Sequence, residues 1–358
     1  MTSASTIPIR NVYYMLSYAF RALREQQYRK LDVEPFANMA DLCAAILIRG
    51  MAVQLKRGLT RDYIPRTEET ASPRGRIEIA ASLNGGTMQK RRLVCTMDEF
   101  TVDSPMNRII KSTMMLLLHA DVAAERKAEL RKLLVYLADV RRIDVRHVDW
   151  HMRYGRNNQT YQMLIGICYL IVKGLLQGNS DGAYKLMDFL DDQRMSHLYE
   201  NFLMGYYTRE WKGIINTSHH RIPWMGVGNG DDPGKALPVM QPDIVLDNGQ
   251  NVLIIDAKYY TSTMQASYDR YKLRSANLYQ IFTYVKNKDA ELAMKDNQSH
   301  DVSGLLLYAK TDEDVVPDNE YSMGGNRIGA RTVDLNQEFS MIAQQLDDIV
   351  IRNFSVTR

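Results

Sequence analysis

The chain has 358 residues, of which 45% are apolar and 24% charged, so it can bury ordinary hydrophobic cores and is expected to form two domains rather than a disordered or fibrous chain. Its three cysteines are far apart in the sequence, which argues against a disulfide framework and favours a reducing, cytoplasmic environment. The longest apolar run, Met163 to Val172, has ten residues, which is about half of a membrane span, and the N-terminus lacks the pattern of a signal peptide, so no membrane association is expected.

The net charge of +3 conceals a difference between the two parts of the chain. Residues 1–190 carry 28 lysines and arginines against 19 acids, whereas residues 191–358 carry 17 against 23. A basic part favours contact with nucleic acid or an acidic partner. The alternative is that the surplus is ordinary solvated surface.

The N-terminal part begins with helical patterns. Apolar and aromatic residues recur at helical spacing over residues 9–24, and a second helix is predicted over 40–57. Residues 62–103 differ in character, because proline and glycine separate short apolar stretches and so predict strands and turns. This segment could form a projecting hairpin or a plain surface sheet. It is basic through Arg74, Arg76, Lys90, Arg91 and Arg92.

Ser104 and Pro105 are typical of a helix start, and the helical pattern continues to about residue 138. It returns at about 157–177. Beyond residue 190 both patterns occur, with helices predicted at 194–211, 274–288 and 336–350 and strands at 242–258 and 303–309. The sequence therefore predicts a helical N-terminal region with a β insert, followed by an α/β domain.

The most informative segment joins two apolar strands through Asn248-Gly249, a dipeptide typical of two-residue hairpin turns. Taking that turn literally pairs Asp247 with Gln250 across the hairpin. Because alternate residues of a strand share a face, one face carries three charged residues, Asp243, Asp256 and Lys258. The other face is apolar and can pack on a helix layer; it carries Ile244, Leu246, Leu253, Ile255 and Ala257.

Asp243 and Asp256 would be diagonal neighbours, and two carboxylates so close repel each other if they are buried alone. A divalent cation between them removes this conflict, and hard oxygen ligands suit Mg²⁺. A bound magnesium ion can activate a water and neutralise charge on a phosphodiester, while Lys258 orients the water or holds the phosphate. The alternative is a surface hairpin with ordinary polar positions. Against it, Asp256 ends an apolar strand, where a buried acid is unusual.

Pro242-Asp243, followed after twelve residues by Asp256-Ala257-Lys258, resembles the motif of the PD-(D/E)xK nuclease superfamily. The resemblance implies a restriction-endonuclease-like α/β domain. In such a domain Asp243, Asp256 and Lys258 are catalytic, and the predicted metal site includes Asp243, Asp256 and Ala257.

Two further residues are candidates for the same site. Gln280 and Tyr284 resemble the Q-x-x-x-Y helix motif of one branch of that superfamily, and they would share a helix face, so Gln280 is a candidate catalytic residue. A packed tyrosine with a capping glutamine is the alternative. Glu200 lies where an acid of a first helix often completes such a site and is a candidate metal ligand, the alternative being a solvated glutamate.

The whole chain resembles the McrC family, the nuclease subunits of McrBC restriction systems directed against modified cytosine. The match runs in order from residue 7 to about residue 350. The segments that carry it are Ile7 to Phe20, Gly75 to Glu78, Asn107 to Thr113, Met187 to Phe189, Asp256 to Tyr260 and Asn277 to Gln280.

This resemblance implies two domains, a motor-docking N-terminal domain over residues 1–190, with a turn-rich finger at about 62–103, and an endonuclease domain over 191–358. It implies docking in the channel of a hexameric AAA+ GTPase, stimulation of GTP hydrolysis by that partner, and magnesium-dependent cleavage of DNA. The partner would bind the GTP and recognise the methylated base. Two alternatives stay open, a non-cutting adaptor that only stimulates the GTPase and a stand-alone repair or resolvase-type nuclease.

Overall fold

A computed structural model of the chain describes residues 7–357 apart from 27, 29–30, 32–33, 151, 153, 155–157, 178–191, 227–236, 260–264, 268–269, 296–298 and 311–315. The chain divides into two compact units, one formed by Met1–Arg24 with Leu190–Arg358 and one by Glu25–Phe189. Both units combine helices and strands, as the mixed α/β class predicted from the sequence requires. None of the helices in the described ranges has both the length and the apolar character needed to cross a bilayer.

The first helix, α1 (Ile9–Ala19), belongs to the C-terminal unit, which differs from the predicted division at residue 190. Its aromatic face explains the difference, because Tyr18 packs against Phe202 and Tyr206 with ring centroids 5.8 and 5.3 Å away. The predicted boundary itself falls outside the described residues.

The unit formed by Glu25–Phe189 contains five helices in its described part, α2 (Met39–Arg57), α3 (Ile79–Asn84), α4 (Pro105–Leu117), α5 (Ala124–Val135) and α6 (Gln159–Gln177). Ser104 caps α4, since its side chain accepts a hydrogen bond from the backbone N–H of Asn107. The pattern predicted as one helix to residue 138 is two helices. The buried Asp41 stabilises the break, because its carboxylate accepts a hydrogen bond from the backbone N–H of Ala123, 3.0 Å away, at the start of α5.

The predicted β insert is present as an antiparallel sheet of β1 (Asp62–Thr70), β2 (Arg76–Ile77) and β3 (Leu93–Thr101), in the order β1-β3-β2. Pro65 lies in the edge strand β1, where a missing N–H is tolerated. Gly75 has a φ of +70°, and a Cβ there would lie 2.4 Å from the carbonyl oxygen of Thr96, so this turn requires glycine.

The C-terminal unit is built on a six-stranded sheet. Its helices are α7 (Asp192–Glu210), α8 (Ser275–Lys295) and α9 (Phe339–Phe354). Its strands are β4 (Asn216–Ser218), β5 (Ile244–Asp247), β6 (Asn251–Lys258), β7 (Gln265–Ser267), β8 (Arg270–Lys272), β9 (Asp301–Ala309), β10 (Asn319–Met323) and β11 (Asn326–Val333). The sheet order is β10-β11-β9-β6-β5-β4, with β9 parallel to both β6 and β11, while β7 and β8 pair separately.

Strand β6 lies in the middle of this sheet and is covered on both faces. Ile254 belongs to a core shared with Ile281 and Val285 of α8, and α7 and α9 also contact the strand. Double coverage explains why the strand is a continuous apolar run rather than an alternating one. Helix α8 approaches the sheet closely at Gly304 of β9, where a Cβ would lie 2.7 Å from the side chain of Val285.

Candidate active site

The hairpin between β5 and β6 has a register different from the predicted one. Asp247 pairs with Val252, not with Gln250, and the two residues at the tip are Gly249 and Gln250. Gly249 has a φ of +92°, which suits the first central position of a type II′ turn. The Asn248 side chain accepts hydrogen bonds from the backbone N–H groups of Gln250 and Asn251. The register moves by two residues, so every side chain keeps its face.

The start of β5 is irregular where Pro242 and Asp243 lie. Ser218 of β4 pairs with Val245, and Ile222 pairs with Met240. Between these two pairs the chain advances four residues from Ser218 to Ile222 but five residues from Met240 to Val245, so the β5 side carries one extra residue. Proline has no N–H to donate to a ladder, and an extra residue of this kind is a β-bulge, a feature that re-aims side chains near functional sites.

Asp243 lies one residue beyond the last β5–β6 pair, at the level of Asp256. Its Oδ2 accepts a hydrogen bond of 2.8 Å from the backbone N–H of Ala257. The negative charge of Asp256 acts on Asp243 and raises its pKa, so the two carboxyl groups lie near each other. The bulge and the Ala257 N–H therefore bring the two predicted carboxylates together.

Lys258 completes the predicted trio on the same face of β6. Its Nζ lies 2.7 Å from Oδ2 of Asp256, and the two side chains are only 14% and 2% exposed. Because this ion pair is shielded from water, the attraction between its charges is screened less than in a surface pair.

The negative charge of Asp256 makes Asp243 harder to ionise. Burial and the negative charges of Asp256 and then Glu200 raise the pKa of Asp243 to about 7, although the Ala257 N–H and Lys258 oppose the shift. Burial also raises the pKa of Asp256, against the opposing effect of Lys258. This is the electrostatic conflict that a bound cation would relieve.

Gln280 is brought to the site by α8. Its Oε1 accepts a hydrogen bond of 3.3 Å from Lys258 Nζ, and its Nε2 donates one of 3.0 Å to the hydroxyl of Tyr284. The two motif residues share a helix face, as the spacing predicts, and the glutamine contacts the candidate catalytic lysine rather than capping the helix.

Glu200 lies on α7, near enough for its charge to raise the pKa of both aspartates. Its own carboxylate is 3.5 Å from Nδ1 of His197. In the described ranges no three side chains of His, Cys, Asp or Glu form a group that could hold a metal ion. Glu200 therefore remains a predicted ligand, and the oxygen donors that converge are those of Asp243 and Asp256.

These donors fit a magnesium ion. The carboxylates of the buried Asp256 and the half-buried Asp243 are hard oxygen ligands with raised pKa. Mg²⁺ is usually bound by one or two carboxylates, with its other positions filled by water and substrate phosphate. Ala257, the third residue predicted at the metal site, lies between Asp256 and Lys258 with its N–H bonded to Asp243.

Sequence reasoning missed a contact that holds the end of β6. The Ser196 hydroxyl on α7 donates a hydrogen bond of 3.2 Å to the carbonyl oxygen of Tyr259. The spacing could have indicated this residue, because Ser196 lies one helical turn before the candidate ligand Glu200 on the same face of α7.

Comparison with known proteins identifies the family. Residues 5–308 match the family model described as "McrBC 5-methylcytosine restriction system component". The chain is 33% identical over 348 residues to "Type IV methyl-directed restriction enzyme EcoKMcrBC" of Escherichia coli (strain K12), an alignment that covers 96% of this chain and 97% of the relative.

Two solved assemblies from Thermococcus gammatolerans are more distant, each with 16% identity. A half-complex of McrB AAA+ hexamers with bound McrC matches with a TM-score of 0.46, covering 96% of this chain and 76% of that chain. The McrBC complex determined by cryo-EM matches with a TM-score of 0.39, covering 57% and 59%. The assignment therefore rests on the sequence matches, which confirm the resemblance found in the motifs: the chain belongs to the McrBC 5-methylcytosine restriction system component family.

Proposed function

We propose that this chain is the DNA-cleaving subunit of an McrBC-type restriction complex, with a magnesium-dependent endonuclease domain of the PD-(D/E)xK type in its C-terminal unit. The observation that carries the proposal is the convergence of Asp243, Asp256 and Lys258 at the end of β6. Carboxylates whose burial and proximity raise their pKa are frequent at functional sites, since unrelieved repulsion destabilises the fold.

Asp243 and Asp256 would hold the metal. A bound Mg²⁺ would supply an activated water and neutralise charge on the scissile phosphate. The Ala257 N–H keeps the Asp243 carboxylate turned toward Asp256, so the protein pre-orients both ligands before the ion arrives.

Lys258 would act on the phosphate. Its ammonium is held by Asp256 on one side and by Gln280 on the other, which limits the motion of a flexible side chain. From this position it can donate a hydrogen bond to a phosphate oxygen and stabilise the negative charge that develops during hydrolysis. Gln280 orients the lysine.

The N-terminal unit would bind the motor. We infer a hexameric AAA+ GTPase of the McrB type as partner, one that binds the GTP itself, reads methylated DNA and is stimulated by this chain. The exposed apolar residues Ile79, Leu83 and Met88 lie within the basic insert of residues 62–103, a combination typical of an interaction surface. Family membership supports the same partner.

The test uses the full chain with its McrB-type partner, GTP, Mg²⁺ and methylated plasmid. Asp256→Ala should abolish cleavage and leave the stimulation of GTP hydrolysis intact, because the substitution removes one ligand of the metal. Asp318→Ala, which removes a carboxylate whose side chain is 78% exposed in the same unit, is the matched control and should keep both activities.

Each alternative gives a different result. Cleavage by Asp256→Ala would refute the assigned site. A wild-type chain that stimulates the GTPase but never cuts would be an adaptor, and one that cuts well without the partner would be a stand-alone nuclease.

A further inference from the structure

Two buried polar side chains, Asn277 of α8 and Tyr308 of β9, lie beside the candidate active site. Asn277 is 6% exposed and Tyr308 fully buried. The Asn277 side-chain N–H donates a hydrogen bond of 3.3 Å to the Tyr308 hydroxyl. The rest of the core around Tyr308 is largely aliphatic, including Ile281, Val285 and Leu306.

Both residues are placed to act on the catalytic lysine. Tyr308 is the direct partner of Lys258 in the parallel β6–β9 ladder, so the two side chains are neighbours on one face of the sheet. Asn277 lies three residues before Gln280, on the same side of α8. One hydrogen bond therefore ties the turn of helix that carries Gln280 to the strand position next to Lys258.

The chemistry of Lys258 requires such a connection. A lysine side chain has a flexible four-carbon stem, and its ammonium stabilises a reacting phosphate only when it is held within hydrogen-bond distance of that group. Gln280 supplies one of its contacts, at 3.3 Å, a distance that a small sliding of α8 would break. Apolar packing between α8 and the sheet is not directional, whereas a hydrogen bond fixes the position along the helix.

We propose that Asn277 and Tyr308 are positioning residues for the nuclease reaction: their hydrogen bond sets the place of Gln280 and thereby of the Lys258 ammonium. This inference rests on the proposed function. It assigns neither residue a contact with DNA or metal.

A double-mutant cycle measures the effect on cleavage by the full complex. Tyr308→Phe and Asn277→Leu should each lower kcat about 10-fold, as loss of a supporting contact does at other sites, while KM for DNA stays unchanged. The double variant should be no slower than either single variant, because both remove the same hydrogen bond. Tyr207→Phe is the matched control, since it removes a fully buried hydroxyl of the same unit that donates to the Leu346 carbonyl on α9, and it should keep the wild-type kcat.

A second measurement needs neither metal nor DNA. The Lys258 side chain is 14% exposed, so an amine-reactive reagent should label it slowly in the full chain, and mass spectrometry should find faster labelling in Tyr308→Phe and Asn277→Leu but not in Tyr207→Phe. Unchanged labelling of Lys258, or additive losses of kcat in the cycle, would overturn the inference. If the wild-type complex does not cut DNA, the proposed function fails, and the labelling experiment still decides whether this pair positions the lysine.

Discussion

At the scale of single residues, the candidate site is a place where the fold carries an unfavourable interaction. The half-buried Asp243 lies beside the buried Asp256, and the neighbouring lysine balances only one negative charge. A protein without a cation to bind would gain stability by losing one of these carboxylates. A metal site and a structural ion pair can therefore be distinguished by measuring how the loss of one carboxylate changes the stability of the protein.

Asp243→Asn should therefore stabilise the metal-free protein. At pH 8 with a chelator, we expect its melting temperature to rise by about 3 °C, since the amide oxygen still accepts the Ala257 hydrogen bond and the repulsion is gone. Added Mg²⁺ should raise the melting temperature of the wild type and have much less effect on the variant. Asp318→Asn should behave as the wild type in both conditions. A lower melting temperature of Asp243→Asn with chelator would argue for a structural role of the carboxylate.

A second carboxylate, Asp103 at the end of the β insert, has the opposite electrostatics. Burial opposes its ionisation, but hydrogen bonds from Arg108 and Arg141 outweigh burial and hold its pKa well below the ordinary value. A depressed pKa adds stability above the pKa of the unfolded chain, about 4, and this stability is lost as the pH falls through the lower folded value. Asp103→Asn should cost about 2 kcal/mol in urea unfolding at pH 7, and its deficit should shrink below pH 3. A deficit that is independent of pH would contradict this account, and the exposed Asp139→Asn should show no deficit.

The shared face of the candidate site residues could be predicted although the turn was not. Asn248-Gly249 indicated the hairpin but not its tip, because Asn248 instead caps the turn through its side chain. The faces of Asp243 and Asp256 were still correct, since a shift of two residues preserves the alternation of a strand. The Asp243 contact with the Ala257 N–H could not be foreseen, because it depends on the bulge that follows from pairing with β4.

At the scale of elements, the β insert is firmly attached to its helical unit. The Asn107 side chain donates hydrogen bonds to the carbonyl oxygens of Thr60 and Val102, one before β1 and one after β3. It also accepts one from the Tyr161 hydroxyl, which in turn accepts from the Thr60 N–H. Both ends of the sheet are therefore held at one buried point, so the sheet is presented as a stiff element.

Replacing residues 62–101 with a short glycine-serine linker should remove partner binding without unfolding the C-terminal unit. The physical reason is that these residues form their own sheet and the described exposed apolar side chains of the insert go with it. Pull-down of the McrB-type partner and stimulation of its GTPase measure the first effect. Hydrogen exchange over α7 and β6 measures the second and should match the wild type. Unchanged partner binding would support the alternative that the insert is a plain surface sheet.

Other elements show where sequence patterns fall short. The break between α4 and α5 is fixed by Asp41, which is more than 80 residues away from Ala123 in the chain, so no local signal marks it. Strand β4 has only three residues and follows α7 after a short turn, and too few positions exist to show alternation. The longer helices α2 and α6 begin and end within about two residues of the prediction, because their helical pattern extends over several turns. Helix α8 begins as predicted but extends beyond the predicted end at residue 288 to Lys295.

At the scale of the whole molecule, the two units are not consecutive along the chain. Residues 1–24 belong with 190–358, and the other unit is inserted between them. The predicted division at residue 190 depended on composition and charge, and neither property shows which unit an amphipathic helix packs against. Tyr18 explains the arrangement: besides its aromatic neighbours, its hydroxyl donates a hydrogen bond of 2.8 Å to Glu210 at the end of α7.

Tyr18→Ala in the full chain should therefore destabilise the C-terminal unit and leave the other unit unchanged. Loss of an aromatic side chain packed on Phe202 and Tyr206 should cost about 2 kcal/mol, and Glu210 loses its hydrogen-bond donor. Hydrogen exchange with mass spectrometry should show faster exchange over α7 and β6, with wild-type protection over α2 and α6. Tyr18→Phe, which keeps the ring and loses only the hydroxyl, is the matched control, and its exchange rates over α7 and β6 should lie between those of the wild type and of Tyr18→Ala. If protection instead dropped in α2 and α6, helix α1 would belong to the N-terminal unit, as the division at residue 190 predicted, and the C-terminal unit would have to fold from residues 190–358 alone.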